Sequence, residues 1–576
     1  MTETRRVRDA TLAPPDLPDR ASSRWLTWLA LGLVAVAGGL CLALPFWGDQ
    51  ALFTIYAREM THGAVLYRDV FDVKQPGIFL FYAIGGSLFG FTEVGIHFFE
   101  LLYWLAFSAF ALKVLPRYFA TRWAPALIPV FTIVVYYFHA GLLDLTQIEI
   151  LVAFPILAAW WLIDTARPDT KQGIRRYAAA GLVAAAIVLL KHLYVAIVLV
   201  YLAAAIVRAR RDGTSFREIG RCVGAFSIGM ATPLLLVLAY FAVYGQLGRI
   251  WWAYFELSAR GQLTHPKPLS YLTFGGRRFL IGHGPVLILA AVGVGFAIRE
   301  REEIRSRLVA GMVWWLVVGA IAFLLQGWPE YKWSLFTVPV GILAAVGCDR
   351  TGGIDRGISR RRVALVALCT GLAALTFVAA IAPRVQTILI GAVVAGCVAG
   401  VGLPFASSST RRRMTPFVAA MLAISVGVAA VAPAQKVRTL ATHDLGLTVD
   451  ARAELRRSLS YSYMAADQDL RALSRRGAIP GPLFVFGDPV LILRAHRPQA
   501  APILGWGPEG LDLRAWRELA SDLRADPPPY IVVDDYAGSI MRSRYPSIME
   551  FIRARYHVDF VGAAGTWYVL TSAEPA

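Results

Sequence analysis

Charged residues and cysteine are both scarce in this sequence of 576 residues. Only 17% of the residues are charged and 57% are hydrophobic, and the mean hydropathy is +0.55. Because a soluble protein of this size needs far more charge, the composition excludes a soluble globular protein and predicts a membrane protein. The five cysteines lie in or beside apolar segments, and their positions indicate neither a C-terminal disulfide framework nor a zinc or redox site.

Internal repeats, which are common in secondary transporters, are missing as well. The ionisable residues concentrate in predicted loops and not in the middle of the apolar segments. Both observations count against a transporter or flippase of lipid-linked sugars, which is the alternative function. The formal net charge of +18 would suggest nucleic acid in a soluble protein. Here the basic residues lie in loops that orient the chain in the bilayer, so no nucleic-acid partner is expected.

Apolar segments of membrane-spanning length fill the chain between residues 25 and 433 and predict about thirteen transmembrane helices. Residues 1–24 are basic and precede the first segment without a clear cleavage site, which predicts a cytoplasmic N-terminus and a retained first helix. Residues 434–576 are polar. The predicted fold is therefore a polytopic α-helical protein of the cell membrane with a small C-terminal α/β domain outside the membrane.

The polar C-terminal part alternates helical and buried-strand patterns, which is typical of an α/β domain. Helices are expected near 450–476, 514–525 and 547–555, and strands at 482–486, 530–533, 557–561 and 566–571. The pair Asp534-Asp535 directly follows a strand and could bind a metal or a sugar, but a turn is the favoured interpretation. We expect this domain to bind the acceptor or to support the membrane part.

The side of each loop depends on segment 76–90, which is apolar but short and rich in glycine. If 76–90 does not cross the membrane, the cytoplasmic loops hold 28 Lys and Arg and the outer loops before residue 434 hold 11. If it does cross, nearly all arginine-rich loops face outward, against the positive-inside rule. We therefore interpret 76–90 as a re-entrant or interfacial helix, which places residues 434–576 outside.

The first outer loop, 46–92, carries the strongest candidates for chemistry. Asp49 stands where the first span ends, at the head of an amphipathic pattern over 50–60 that contains Arg58. Lys74 follows near the end of the loop. Asp49 has a plain structural interpretation as well, because an acid favours a helix N-terminus.

Later outer loops add a second acid and several cations. Glu149 precedes the fourth span, and Asp144 competes with it for the role of second acid. Lys191-His192 divides the apolar stretch 177–207. The alternatives are a tight outer turn and one long tilted helix with a snorkelling lysine, and the turn is favoured because ionisable groups within spans are costly and usually functional. Further basic and aromatic candidates follow along the chain: Arg260, Tyr331 and Lys332.

Carboxylates from the first two loops thus face lysine, arginine and histidine from later loops. Transfer from a lipid phosphate needs both, since a carboxylate takes the proton of an acceptor hydroxyl and cations stabilise the departing phosphate. Asp49 and Glu149 would also be the ligands of any divalent cation, Mg²⁺ or Mn²⁺, although no cofactor is required by the pattern.

The order of these elements resembles the GT-C superfamily of glycosyltransferases, in particular the protein O-mannosyltransferases and the aminoarabinose transferases that modify lipid A. The resemblance covers about residues 24–345 and rests on an acid after the first span, a spaced surface helix, a Lys-Pro-Pro-like element, a second acid, a lysine in a later span and a late aromatic-basic pair. These elements read Asp49, Tyr56, Ala57, Met60, Gly63, Lys74-Gln75-Pro76-Gly77, Leu88-Phe89-Gly90, Glu149, Lys191 and Tyr331-Lys332. The sequence departs from the family at Asp49-Gln50, where an Asp-Glu pair is common, and at Lys74-Gln75-Pro76.

The resemblance implies an inverting hexosyl- or pentosyltransferase that acts at the outer face of the cell membrane. The donor would be a polyprenyl-phosphate-linked sugar, and the acceptor a glycan, lipid or protein of the cell envelope. Asp49 would be the base and Glu149 the second catalytic acid, and the remaining candidates would bind the lipid phosphate: Arg58, Lys74, Lys191, His192, Arg260, Tyr331 and Lys332.

Overall fold

The computed structural model describes residues 21–257, 269–300, 302–326, 329–351, 384–477 and 480–571. The predicted span 363–382 and the candidate Arg260 lie outside these residues. In the membrane part the helices are Ala21–Gly39, Gly48–Thr61, Pro76–Phe89, Glu93–Val114, Val135–His139, Ile148–Leu151, Ala153–Asp164, Lys171–Lys191, Val195–Arg211, Phe216–Val243, Leu247–Trp251, Leu269–Glu300, Glu303–Leu324, Thr337–Thr351, Arg384–Gly402, Ser408–Ala429 and Val431–Ala441. Shorter 3₁₀ and π turns connect several of them, including Ala124–Ala126, Val130–Val134, His192–Tyr194, Trp252–Leu257 and Glu330–Phe336.

Within the described residues, seven helical stretches are long and apolar enough to cross a membrane. They are Glu93–Val114, Lys171–Arg211, Phe216–Val243, Leu269–Glu300, Glu303–Leu324, Glu330–Arg350 and Ser408–Ala441, with four shorter apolar helices beside them. The chain is therefore a multi-pass membrane protein, as predicted from its composition, and the count of thirteen spans stays a prediction.

The helix bundle has two polar ends that differ in their partners. At one end, which we call the domain face, Glu93 binds Tyr463 and Arg456 of the C-terminal domain at 2.6 and 3.1 Å. At the other end, the opposite face, Asp164 pairs with Arg208 at 3.1 Å and with Arg117 at 3.6 Å. The arginine-rich loops thus gather at the end away from the C-terminal domain, which is the two-sided distribution that the charge pattern predicts.

Helix Pro76–Phe89 begins and ends at the domain face. Its start packs against the backbone of Leu189, beside the Lys191 pair at that face, and Glu93, which follows its end, contacts the C-terminal domain. With 14 residues it measures only about 21 Å. The interpretation of 76–90 as a helix that does not cross agrees with this arrangement.

Residues 171–211 form two antiparallel helices joined by a tight turn. Lys191 leaves the helical conformation with φ −162° and ψ 105°, and a 3₁₀ turn follows. Arg176 near the start of the first helix binds the Thr165 carbonyl, and Arg208 near the end of the second binds Asp164. The start of the first helix and the end of the second thus both lie at the opposite face, and Lys191-His192 lies between them at the domain face. The predicted turn at Lys191-His192 is therefore present.

The C-terminal domain contains one four-stranded sheet. Strands β1 (Leu483–Phe486), β2 (Tyr530–Val533), β3 (Tyr556–Val561) and β4 (Thr566–Leu570) lie in the order β1-β2-β4-β3, with β1 and β2 parallel. Six helices surround the sheet: Val449–Leu459, Tyr461–Arg475, Val490–Ala495, Leu513–Ala525, Asp535–Arg544 and Pro546–Arg555. The small α/β domain expected after the membrane part is thus confirmed as a fold.

Local details of this domain differ from the expectation. The predicted helix 450–476 breaks at Ser460, where φ −134° and ψ 118° are extended. The pair Asp534-Asp535 is not a turn. Asp534 caps helix Asp535–Arg544 by accepting the amide of Ala537 at 2.6 Å, which satisfies one free donor of the first helical turn. The short helix Val490–Ala495 was not predicted.

The close approach of Gly77 to Leu189 generates a stability prediction. A Cβ at Gly77 would lie 2.6 Å from the Leu189 carbonyl oxygen, so Gly77→Ala forces the two helices apart. We expect a loss of about 1–3 kcal/mol in the free energy of unfolding, seen as a lower thermal midpoint of the detergent-solubilised chain. Gly32→Ala is the matched control, because nothing lies within 4 Å of a Cβ there. Equal midpoints for the two variants would contradict the packing described.

Candidate active site

A cavity of about 510 Å³ lies at the domain face between the first loop and the C-terminal domain. We call it the interdomain cavity. The membrane part contributes Asp49, Asp72, Lys74 and Tyr331, among others. The C-terminal domain contributes the loop 503–511 and the start of helix Asp535–Arg544. Four further candidates lie next to this cavity: Glu149, Lys191, His192 and Lys332.

Asp49 lies in the first turn of helix Gly48–Thr61, where an acid complements the helix dipole. Its neighbour Gln50 is fully buried. The side-chain oxygen of Gln50 accepts the amide of Trp47 at 2.6 Å, and its amide donates to the Leu145 carbonyl at 2.5 Å. Gln50 therefore caps the helix and fixes it to the second loop, which holds Asp49 at the cavity wall.

The Asp49 carboxylate has two partners. The indole N–H of Trp506 donates to its Oδ1 at 2.9 Å, and the Lys74 ammonium lies 3.7 Å from the same oxygen. Gly48 makes room for the Trp506 ring, because a Cβ at this position would collide with it. The first loop and the C-terminal domain thus meet directly at Asp49.

Lys74 bridges two carboxylates, since its ammonium also lies 3.6 Å from Asp72. Burial opposes the charge of Lys74, but Asp49 and Asp72 outweigh this effect and raise its pKa above the ordinary value. Burial raises the pKa of Asp72, although Lys74 counteracts the shift. Lys74 is therefore a firmly charged cation inside the cavity.

Behind the cavity, Glu149 forms a buried ion pair with Lys191. The carboxylate of Glu149 and the Lys191 ammonium are 2.5 Å apart, and the Glu149 side chain is 2% exposed. Lys332, itself buried, also acts electrostatically on Glu149. The structure thus brings together Glu149, Lys191 and Lys332 from three separate segments.

The other candidates lie at different distances from this centre. Tyr331 lines the cavity. His192 accepts a hydrogen bond at 3.0 Å from Gln75, the residue that follows Lys74 in the sequence. Arg58 does not join them. It pairs with Glu59 at 3.0 Å, near the far end of its helix and roughly 13 Å along the axis from Asp49. Asp144 pairs with Arg278 at 2.9 Å and does not line the interdomain cavity.

The residues at the cavity do not fit a divalent cation. Among the described residues, no group of three or more His, Cys, Asp and Glu side chains is placed to hold a metal. Asp49 is paired with Lys74, and Glu149 is paired with Lys191. Each ammonium occupies the space beside the carboxylate that a divalent cation would need.

Several residues of the cavity were not among the predicted site residues. Asp72, Trp506 and Glu509 line it, and so does Asp534, for which the sequence allows a metal or sugar contact but favours a turn. Asp72 follows the surface helix by about ten residues and was visible in the loop, but the others come from the C-terminal domain. Trp506 and Asp49 are 457 positions apart, so no local pattern connects them.

The Lys191–Glu149 pair generates a prediction about stability. Lys191→Ala leaves a buried carboxylate without its nearest cation, so we expect a loss of about 3–5 kcal/mol in the free energy of unfolding. Glu149→Gln in the same chain should recover most of this loss. Thermal unfolding of the full chain in detergent, run as a double-mutant cycle, measures the coupling.

The exposed pair Arg68–Asp69, whose side chains are 47% and 40% exposed, serves as the matched cycle. We expect its coupling to be only a small fraction of that of the buried pair, because exposed ion pairs gain little in water. Equal couplings for the two pairs would show that Glu149 is not buried as described.

Comparison with known proteins places the fold. No family model matches the chain, and no curated protein matches it. Two crystal structures of ArnT from Cupriavidus metallidurans do match, each covering 96% of this chain and 100% of ArnT. The structure bound to undecaprenyl phosphate has 15% identity and a TM-score of 0.52, and the apo structure has 16% and 0.53. The resemblance inferred from the sequence is thus confirmed at the level of the fold: this chain is a multi-pass membrane protein that shares the fold of ArnT over 96% of its length.

Proposed function

We propose that this chain transfers a sugar from a polyprenyl-phosphate carrier to an acceptor of the cell envelope, with inversion at the anomeric carbon. The observation that carries the proposal is the position of Asp49, whose carboxylate faces a cavity at the domain face with cations directly behind it. The fold shared with ArnT, which was crystallised with undecaprenyl phosphate, supports a polyprenyl phosphate as the carrier.

The cations of the site suit the phosphate of the donor. Lys74 and Lys191 come from two segments and lie within one electrostatic cluster with Asp49, Glu149 and the buried Lys332. Ammonium groups in a site sheltered from water stabilise a phosphate monoester far better than they do in bulk water. His192 and Tyr331 border the same cluster and can donate further hydrogen bonds.

The reaction is a direct displacement. The acceptor hydroxyl oxygen forms a bond to the anomeric carbon while the bond from that carbon to the phosphate oxygen breaks, and the electron pair leaves with the carrier phosphate. Asp49 accepts the proton of the hydroxyl. Because the base and the phosphate stand on opposite sides of the sugar, the configuration inverts.

Glu149 is better suited to positioning than to proton transfer. Its carboxylate is buried and already bound to Lys191, so it is neither free to accept a proton nor open to the acceptor. We propose that it holds Lys191 charged and oriented toward the donor phosphate.

We place the reaction on the outer side of the membrane. The arginine-rich loops lie at the end of the bundle away from the interdomain cavity, and the positive-inside rule assigns that end to the cytoplasm.

The decisive test is Asp49→Asn in the full chain. We expect the release of polyprenyl phosphate from a labelled polyprenyl-phosphate sugar to fall by at least about 100-fold, because the base is lost while the shape is kept. Glu59→Gln, on the same helix but paired with Arg58, is the control and should leave the rate unchanged. The thermal midpoint of each variant checks its folding.

Two results would contradict the proposal. Full activity of Asp49→Asn would show that Asp49 is not the catalytic base. Label that crosses the membrane with its carrier bond intact would instead indicate a flippase of lipid-linked sugars.

A further inference from the structure

The wall of the interdomain cavity that faces Lys74 is formed by the C-terminal domain. It consists of Trp506, Glu509, Asp534 and Tyr536, and we call it the acidic wall. We propose that the acidic wall binds the acceptor and selects a neutral, hydroxyl-rich glycan chain over a phosphate-bearing acceptor. This inference rests on the proposed function and specifies its acceptor.

The charge of the cavity favours a neutral acceptor. Its described lining contains four carboxylates and one basic side chain: Asp49, Asp72, Glu509, Asp534 and Lys74. Ionised carboxylates accept hydrogen bonds and cannot donate them, so they match the hydroxyl donors of a sugar. A phosphate brought against the same wall would lie near several like charges in a sheltered site, at a high electrostatic cost.

One carboxylate oxygen of Glu509, Oε2, is buried without a hydrogen bond of good geometry among the described residues. The Tyr536 hydroxyl interacts with the same carboxylate, so Glu509 has one protein partner and room for a second donor. Leaving a buried charged acceptor unsatisfied is costly, and an incoming hydroxyl would satisfy it. Glu509 is therefore the residue of the acidic wall best suited to accept a hydrogen bond from a ligand hydroxyl.

The aromatic rings of the wall complement the carboxylates. Trp506 is fixed by its hydrogen bond to Asp49, and Tyr536 is 58% exposed beside Glu509. A sugar ring has C–H faces that pack on aromatic rings and a rim of hydroxyls that reaches polar groups. Aromatic residues that combine an apolar face with a polar tip bind such mixed surfaces well.

The wall continues into a second groove, which indicates a chain and not a single sugar. This groove has a volume of about 400 Å³ and shares Asp534 and Tyr536 with the interdomain cavity. Its described lining adds Asp488 and Asp535 and contains no lysine or arginine. A glycan whose end lies at Asp49 would run across Tyr536 into this groove with the same uncharged chemistry.

The experiment uses the full chain in lipid nanodiscs with radiolabelled polyprenyl-phosphate sugar as donor. Envelope glycans from a strain that lacks the chain are separated by anion exchange into a neutral and a phosphate-bearing fraction, and each is offered as acceptor. We expect label in the neutral fraction. Glu509→Ala and Tyr536→Ala should each raise the KM for that fraction roughly tenfold, without changing the KM for the donor. Glu550→Ala, an exposed acid on helix Pro546–Arg555, is the matched control and should change neither value.

Each outcome is decisive. Label in the phosphate-bearing fraction, or an unchanged acceptor KM in both wall variants, would overturn the inference while carrier release still upheld the transferase. Failure to release the carrier phosphate with any acceptor would reject the proposed function itself, and the acceptor assignment with it.

Discussion

The carboxylate of Glu149 is buried at the domain face, and its charge is stable there because the Lys191 ammonium lies 2.5 Å away. An isolated charge at such a depth would cost several kcal/mol. This requirement fixes more than two side chains. Lys191 must stand at the turn between two antiparallel helices, and Gly77 must let helix Pro76–Phe89 approach that turn. The position of Lys74, just before this helix, follows from the same contact, so the cationic side of the cavity depends on one buried pair.

The C-terminal domain is held to the bundle by several polar contacts, which makes it part of the site. Tyr463 accepts the amide of Phe46 at 3.1 Å and donates to Glu93 at 2.6 Å. Arg249 pairs with Glu518 at 2.6 Å on the other side of the cavity. Because these contacts lie on both sides of Asp49, the acidic wall keeps a defined distance from the first loop. A domain attached only by a linker could not contribute an N–H to the Asp49 carboxylate.

The sequence was informative where charge is rare. Asp49, Glu149, Lys191 and Lys332 stand at the ends of apolar segments, where an ionisable residue is costly and therefore conspicuous. Glu509 lies in a polar domain in which acids are ordinary, and only the docking of that domain reveals it. At Asp534 the sequence allows a metal or sugar contact but favours a turn. The two strands Leu483–Phe486 and Tyr530–Val533 were predictable from their continuous apolar runs. Helix Asp535–Arg544 was missed because two consecutive acids after a strand are typical of a turn, and also of a helix cap, and a local pattern does not separate the two.

The two walls of the interdomain cavity differ in charge. In the proposed reaction, this difference directs the donor and the acceptor to separate subsites. Donor and acceptor must meet at one carboxylate without competing for the same subsite. A phosphate is attracted to the lysines on the membrane side and repelled by the acids of the C-terminal domain, whereas an uncharged glycan donates hydrogen bonds to those acids without such repulsion. Asp49 lies on the boundary, bound to Lys74 from one side and to Trp506 from the other. In the proposed reaction, this electrostatic gradient orients both substrates, and Asp49 is the base at the point where their reacting atoms meet.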